Sequence, residues 1–118
     1  MKVKTSELKD KGLDFMVAKC LGTLGHYVQP NERRGTTKWA VIPQTRRYST
    51  NWAQGGPVIE SEKISVFEAG KFWGARPLQD GIKPIRDSFG PTPLTAAMRC
   101  LVSSRMGEEV DLPEELLI

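Results

Sequence analysis

Seven consecutive residues hold the densest chemistry in this chain. Arg46-Arg47-Tyr48-Ser49-Thr50-Asn51-Trp52 sets two guanidiniums, a phenol, two hydroxyls, an amide and an indole side by side, and Gly55-Gly56 follows closely. Arginine forks match phosphate and carboxylate oxygens better than lysine does. Ser49 and Thr50 precede a helical stretch, so their hydroxyls would meet the unpaired N–H groups at the positive end of a helix dipole. Gly55-Gly56 would let backbone approach a flat ligand closely, and Trp52 offers a face on which a base can stack. A second helix start, Thr92-Pro93, repeats the hydroxyl and N–H arrangement, with Pro91 and Arg99 completing an opposite wall. Arg33 and Arg34, at the tip of an expected hairpin, would reach toward the same place. Between 31 and 47, five bases (Arg33, Arg34, Lys38, Arg46 and Arg47) stand against the single acid Glu32.

The expected ligand-binding set is therefore Arg33, Arg34, Arg46, Arg47, Tyr48, Ser49, Thr50, Asn51, Trp52, Gly55, Gly56, Thr92 and Arg99. Each member also has a plainer account. Hydroxyls at helix starts serve as caps, and a basic loop can balance the acids near the C-terminus. Tryptophans in a small domain, Trp39, Trp52 and Trp73 here, usually pack in the core, and Arg99 can pair with the acidic end.

Nothing comparable points to catalysis. The one histidine, His26, has no serine or cysteine near it at a nucleophile's spacing. Cys20 and Cys100 sit singly in apolar helical patterns, and no His/Cys/carboxylate cluster has metal-ligand spacing. Carboxylates gather only at Glu108, Glu109, Asp111, Glu114 and Glu115, which read as a solvated surface. The expectation is a non-enzyme with no catalytic residue, metal or cofactor. An acid–base pair assembled by the fold from distant positions is left open.

The elements that must position these groups follow from periodicity. Leu13, Met16, Val17, Cys20 and Leu21 form one helical stripe, with Asp10 as its cap and Gly22 as its stop. Leu24–Gln29 and Lys38–Ile42 predict a hairpin around Pro30–Gly35. Ser49 or Thr50 caps a second helix with Ile59 on its buried side, and Gly55-Gly56-Pro57 interrupts it. Pro57 then either opens a second helical piece or kinks the first. Ile64–Glu68 and Lys71–Ala75 predict a second hairpin around Ala69-Gly70, and 76–91 a long loop of turns. Thr92-Pro93 starts the best-specified helix, with Leu94, Ala97, Met98, Leu101 and Val102 as its stripe and Gly107 at its end. Three helices and two hairpins make an α+β domain, a small, mainly antiparallel sheet packed by helices.

The chain's 118 residues suit one domain, 1–118, and its 39% hydrophobic and 26% charged residues exclude a disordered chain. Its net charge of +3 is mildly basic. No apolar run approaches the ~18 residues of a membrane span, and the opening lacks the apolar core of a signal peptide. A soluble, cytoplasmic protein with reduced thiols is expected, with no membrane partner.

Several blocks resemble a known set in the right order. Val3-Lys4-Thr5-Ser6-Glu7-Leu8, Leu13-Asp14, Val17-Ala18-Lys19-Cys20, Ser49 to Pro57, Gly90-Pro91-Thr92-Pro93-Leu94, Ala96-Ala97-Met98-Arg99-Cys100 and Glu109 to Leu116 look like the NinX-like proteins of tailed phages and prophages. More loosely, the layout is similar to the phage ABA-sandwich domain. The resemblance implies a sheet between helices, a phage or prophage origin and the cytoplasm of an infected or lysogenic bacterium. The family's function is unknown, so the resemblance carries over no catalytic residue. The chain departs from its relatives mainly at 26–47 and 70–89, and any ligand preference would differ accordingly.

Two functional classes follow. In the first, a non-catalytic phage accessory protein binds and sequesters an anionic, nucleotide-like small molecule in a counter-defence role. In the second, a protein–protein module binds and redirects a host defence or phage protein through its basic loop or acidic end. Nucleic acid is the weaker partner, because a net +3 neutralises few phosphates. A homodimer is left open by the free edge of a small sheet.

Overall fold

The computed structural model describes residues 1–24, 27–28, 30–31, 38–41, 45–77 and 87–116. Most of the described elements pack on one helix, α3 (Pro93–Met106). It starts as its sequence dictates. The Thr92 hydroxyl accepts from Thr95 N–H at 3.1 Å, and Pro93 takes the first helical position, where its missing N–H has no cost. The expected apolar stripe is buried throughout, and Gly107 closes the helix at φ 93°.

Helix α1 (Asp10–Leu21) packs on α3, and Gly22 stops it in the left-handed region at φ 74°. Leu13, Met16 and Val17 are buried as expected, while Cys20 and Leu21 are half-buried. Burial runs right round the helix to include Gly12, Asp14, Phe15 and Ala18, so it is far more enclosed than a surface helix with one apolar stripe. Asp10 does not cap it. The extended Lys9 takes the cap position without a side-chain hydrogen bond, and Asp10 is the first helical residue at φ 48°. Aspartate tolerates that conformation better than most residues. Gly12 weakens the helix start on propensity alone, yet a Cβ there would lie 2.8 Å from the Leu116 carbonyl oxygen. The C-terminal segment closes directly on this turn.

Helix α2 (Trp52–Glu62) also packs on α3. Its cap is Asn51, whose Oδ1 accepts from Ala53 N–H at 2.9 Å, and neither Ser49 nor Thr50 serves. The reason lies one turn earlier: Thr50 and Asn51 N–H both bond to the Arg47 carbonyl, so 47–50 is already a closed turn when the helix begins. Gly55-Gly56-Pro57 does not divide the helix, which runs unbroken with Pro57 in its interior. Ala53 and Pro57 are both exposed, so water can serve the Ala53 carbonyl that a proline leaves unbonded. Val58 is buried and Ile59 half-buried against the core.

The described strands form three antiparallel sheets. In the largest, β4 (Ser65–Ala69), β5 (Phe72–Arg76) and β6 (Ser88–Gly90) lie in the order β4-β5-β6. Ala69 pairs with Phe72, leaving a two-residue loop, Gly70-Lys71. Gly70, at φ 66°, supplies the left-handed first position that such a tight hairpin favours. β6 falls inside the span expected to be a loop of turns, of which 78–86 lies outside the described residues. β2 (Tyr27–Val28) and β3 (Ala40–Val41) form the other expected hairpin, shorter than expected, with Tyr27 opposite Val41. Most of the turn joining them, including Arg33 and Arg34, lies outside the described residues, as does His26.

The third sheet joins β1 (Lys2–Lys4) to β7 (Glu109–Asp111). The acidic C-terminal segment is therefore not a free solvated tail. Its acids face outward while Val110, Leu112 and Leu116 are buried, and the terminal amine bonds to Asp111 at 2.8 Å and to the Leu112 carbonyl at 3.1 Å. Thr5 extends the seam, donating from N–H to the Glu108 carbonyl and from Oγ1 to the Gly107 carbonyl. Among the described residues, no helix is long and apolar enough to cross a membrane.

Candidate functional site

The starts of α2 and α3 face the same cleft, of about 410 Å³. Ser49, Thr50 and Trp52 line it from one side, and Pro91, Thr92, Leu94 and Thr95 from the other, with Arg99 and Lys9 also lining it. Five members of the expected set thus meet in space: Ser49, Thr50, Trp52, Thr92 and Arg99. Trp52 is 58% exposed, so it is a surface group rather than a core one. The caps satisfy the N–H groups of Ala53 and Thr95. Among the described residues, the first-turn N–H groups of Trp52 and Leu94 have no hydrogen-bond partner.

The other expected residues have different surroundings. Tyr48 is buried, and its hydroxyl meets Thr23 Oγ1 at 3.0 Å, tying the loop before α2 to the end of α1. A Cβ on Gly55 would lie 2.2 Å from the Tyr48 carbonyl oxygen and 2.6 Å from Leu94 Cδ2, so this glycine lets α2 cross close over both. Gly56 is half-buried, with the Trp52 ring 3.9 Å from where its Cβ would be. Asn51 is the cap. Arg46 and Arg47 are exposed, and the Arg47 N–H bonds to the Gln54 side chain. Arg99 does not pair with the acidic end. Its Nε donates to the Leu8 carbonyl at 2.8 Å and its Nη1 to the Phe89 carbonyl at 2.9 Å, and burial lowers its pKa from the ordinary value.

A second cavity, of about 580 Å³, adjoins the cleft and shares Asp10 and Thr50 with it. Asp14 lines it, 4% exposed, and its Oδ1 accepts from Ser49 N–H at 2.8 Å. Burial raises its pKa to about 6, against the opposing pull of the Ser49 contacts. The Ser49 hydroxyl beside it is buried and, among the described residues, makes no hydrogen bond of regular geometry. Tyr27 and Trp39 line the same cavity, and both pack edge-on against Phe15, at ring distances of 5.4 and 5.0 Å. Glu115 accepts from its own N–H and from Trp39 N–H at 3.1 Å, and the two together, its own first, lower its pKa. Sequence reasoning passed over Asp14 and Tyr27. The available signal was a lone carboxylate between apolar neighbours, Leu13 and Phe15, on a helix with no polar face to spare.

The third cavity, of about 630 Å³, is lined by Phe72, Phe89 and Arg99 on one side and by Lys4, Ser6 and Glu109 on the other. Phe72 and Phe89 are 56% and 50% exposed. Among the described residues no group of three or more His, Cys, Asp or Glu could hold a metal ion. Cys20 and Cys100 are free thiols, and burial pushes Cys100 up to about 12, far from thiolate chemistry.

These features define a small α+β protein built on one central helix, with two helix starts opening on a shared cleft. The chain belongs to the family described as Bacteriophage P22, NinX, whose model matches residues 4–105. The matched span takes in both helix starts and all of the cleft, and stops before β7. No curated protein matches the chain.

Proposed function

We propose that this is a non-catalytic phage accessory protein that binds an anionic, nucleotide-like small molecule and withholds it from a host system that uses it. The observation that carries this reading is the meeting of two helix N-termini at one cleft beside an exposed tryptophan. Each helix start carries roughly half a positive charge. The Trp52 and Leu94 N–H groups, with the Lys9 ammonium, are suited to phosphate oxygens. The Trp52 indole can stack on the base, an interaction of about 1–3 kcal/mol. A volume of about 410 Å³ is within the range of small-molecule sites.

The test is calorimetric titration with GMP, AMP and pyrophosphate. At least one of the nucleotides is expected to bind, and Trp52→Ala to weaken it about tenfold. Absence of heat with all three probes would remove the reading.

A different observation favours a second reading, a module that binds a host or phage protein. Strand register puts Phe67, Phe72 and Phe89 on one face of the β4-β5-β6 sheet, with Phe72 and Phe89 exposed beside the 630 Å³ cavity. Exposed aromatics of this kind are enriched in interface cores. Under this reading, Phe72→Ser with Phe89→Ser abolishes a specific pull-down partner and leaves nucleotide titrations unchanged.

A further inference from the structure

The cleft and the 630 Å³ cavity adjoin along α3. Thr95 and Arg99 line the first, Arg99 and Ser103 line the second, and Pro91 lines both. Thr95, Arg99 and Ser103 recur at every fourth residue, so one face of a single helix floors both spaces over about 12 Å. An exposed aromatic surface stands at each end: Trp52 in the cleft, and Phe72 with Phe89 in the cavity.

Arg99 lies where the two spaces meet. Its guanidinium bonds only to the neutral Leu8 and Phe89 carbonyls among the described residues, the Phe89 bond is open to solvent, and Nη2 has no partner among them. Burial lowers its pKa, and among the described residues no carboxylate offsets that. A half-buried cation held by neutral groups alone is suited to an anion. The phenylalanine end has a different character. Asp87 is engaged by both nitrogens of the Arg76 fork, Glu109 stands opposite Lys4 in the β1–β7 register, and with Glu108 these carboxylates disfavour phosphate there.

We infer that the cleft and the cavity together take a dinucleotide: one base stacks on Trp52, the linking phosphate lies between the helix starts and Arg99, and the second base rests against Phe72 and Phe89. This rests on the small-molecule reading above and narrows its ligand to two bases joined through phosphate. A mononucleotide fills the cleft alone and leaves the phenylalanines to water.

Calorimetric titration with the 5′-phosphorylated dinucleotides pApA and pGpG, beside AMP and GMP, tests it. At least one dinucleotide is expected to bind about tenfold more tightly than its own mononucleotide, the effect of one added stack. Phe72→Ser with Phe89→Ser is expected to remove that gain and leave the mononucleotide unchanged, while Trp52→Ala weakens both. In the unsubstituted protein, the Phe72 and Phe89 ring protons are expected to shift in NMR spectra with the dinucleotide and not with the mononucleotide. Equal affinity for dinucleotide and mononucleotide would overturn the inference. So would a gain that survives the loss of both phenylalanines, which would come from the added charge. In either case mononucleotide binding that depends on Trp52 would leave the cleft reading standing. If none of the four bound, both would fall.

Discussion

The two helix starts that face the cleft are built in opposite ways. α3 begins from local chemistry alone: a threonine cap bonded to Thr95, a proline at the first position, then an apolar stripe. α2 begins where the tertiary structure lets it. Ser49 N–H is held by Asp14, Tyr48 is fastened to Thr23, and Gly55 lies against the Tyr48 carbonyl, so the 47–50 turn is fixed from outside the helix. A locally specified start tolerates change in its surroundings. One pinned from three sides transmits such change to Trp52, the residue on which the proposed ligand stacks.

The largest effect that would break this contrast is at the paired glycines. Gly55→Ala drives a Cβ to 2.2 Å from a backbone oxygen that cannot rotate away. It is expected to cost about 3 kcal/mol or more by urea denaturation, with loss of nucleotide binding. Gly56→Ala, whose Cβ would make only an ordinary contact with the Trp52 ring at 3.9 Å, is expected to be neutral or to stabilise by up to about 1 kcal/mol through helix propensity. Equal effects at the two positions would contradict the crossing.

Next comes Asp14. Its carboxyl titrates near 6 in the folded protein and near 3.8 when unfolded, so between these pH values the folded state holds more protons. Stability relative to Asp14→Asn is therefore expected to fall as pH rises from about 4 to 6, by on the order of 2 kcal/mol, and to change no further above that window. Denaturation of both proteins across this range, with carboxyl NMR to follow Asp14 itself, measures it. A folded midpoint near 4 would mean that Asp14 is well solvated.

The caps sharpen the contrast further. Thr92→Ala is expected to cost about 1 kcal/mol. Asn51→Ala is expected to cost less, because the turn before α2 is already held by Asp14 and Thr23. Paired melts decide the order, and the reverse order would mean that α2 depends on its cap after all. The smallest expected effect is electrostatic. Among the described residues, Asp10 is the one carboxylate lining the cleft, and Asp10→Asn is expected to raise pyrophosphate affinity about twofold at low salt, with the gain fading as salt increases.

The same division explains what could be read from the residues. The α1 stripe with Gly22, the whole of α3, both hairpins and the α+β class follow from periods and turn chemistry contained within a few residues. β1 and β7 do not: three-residue strands at opposite ends of the chain carry no signal until Val3 meets Val110. β6 was hidden among prolines and glycines, and the C-terminal acids masked the alternation that buries Val110 between Glu109 and Asp111. At the site, residue types were legible and roles were not. Ser49, Thr50, Trp52, Thr92 and Arg99 do converge, but Tyr48 and Gly55 serve packing, and Asn51 caps where Ser49 was expected to. Asp14 and Tyr27 became visible only when the fold enclosed them without polar neighbours to spare.

The most direct test of the central claim is to purify the protein from bacteria with active phage-defence systems, denature it, and identify released small molecules by mass spectrometry. A stoichiometric, nucleotide-like species that is absent from the Trp52→Ala protein is the predicted result. An empty protein that also binds no nucleotide in titration would contradict it and leave the exposed aromatic face of the β4-β5-β6 sheet as the surface to pursue.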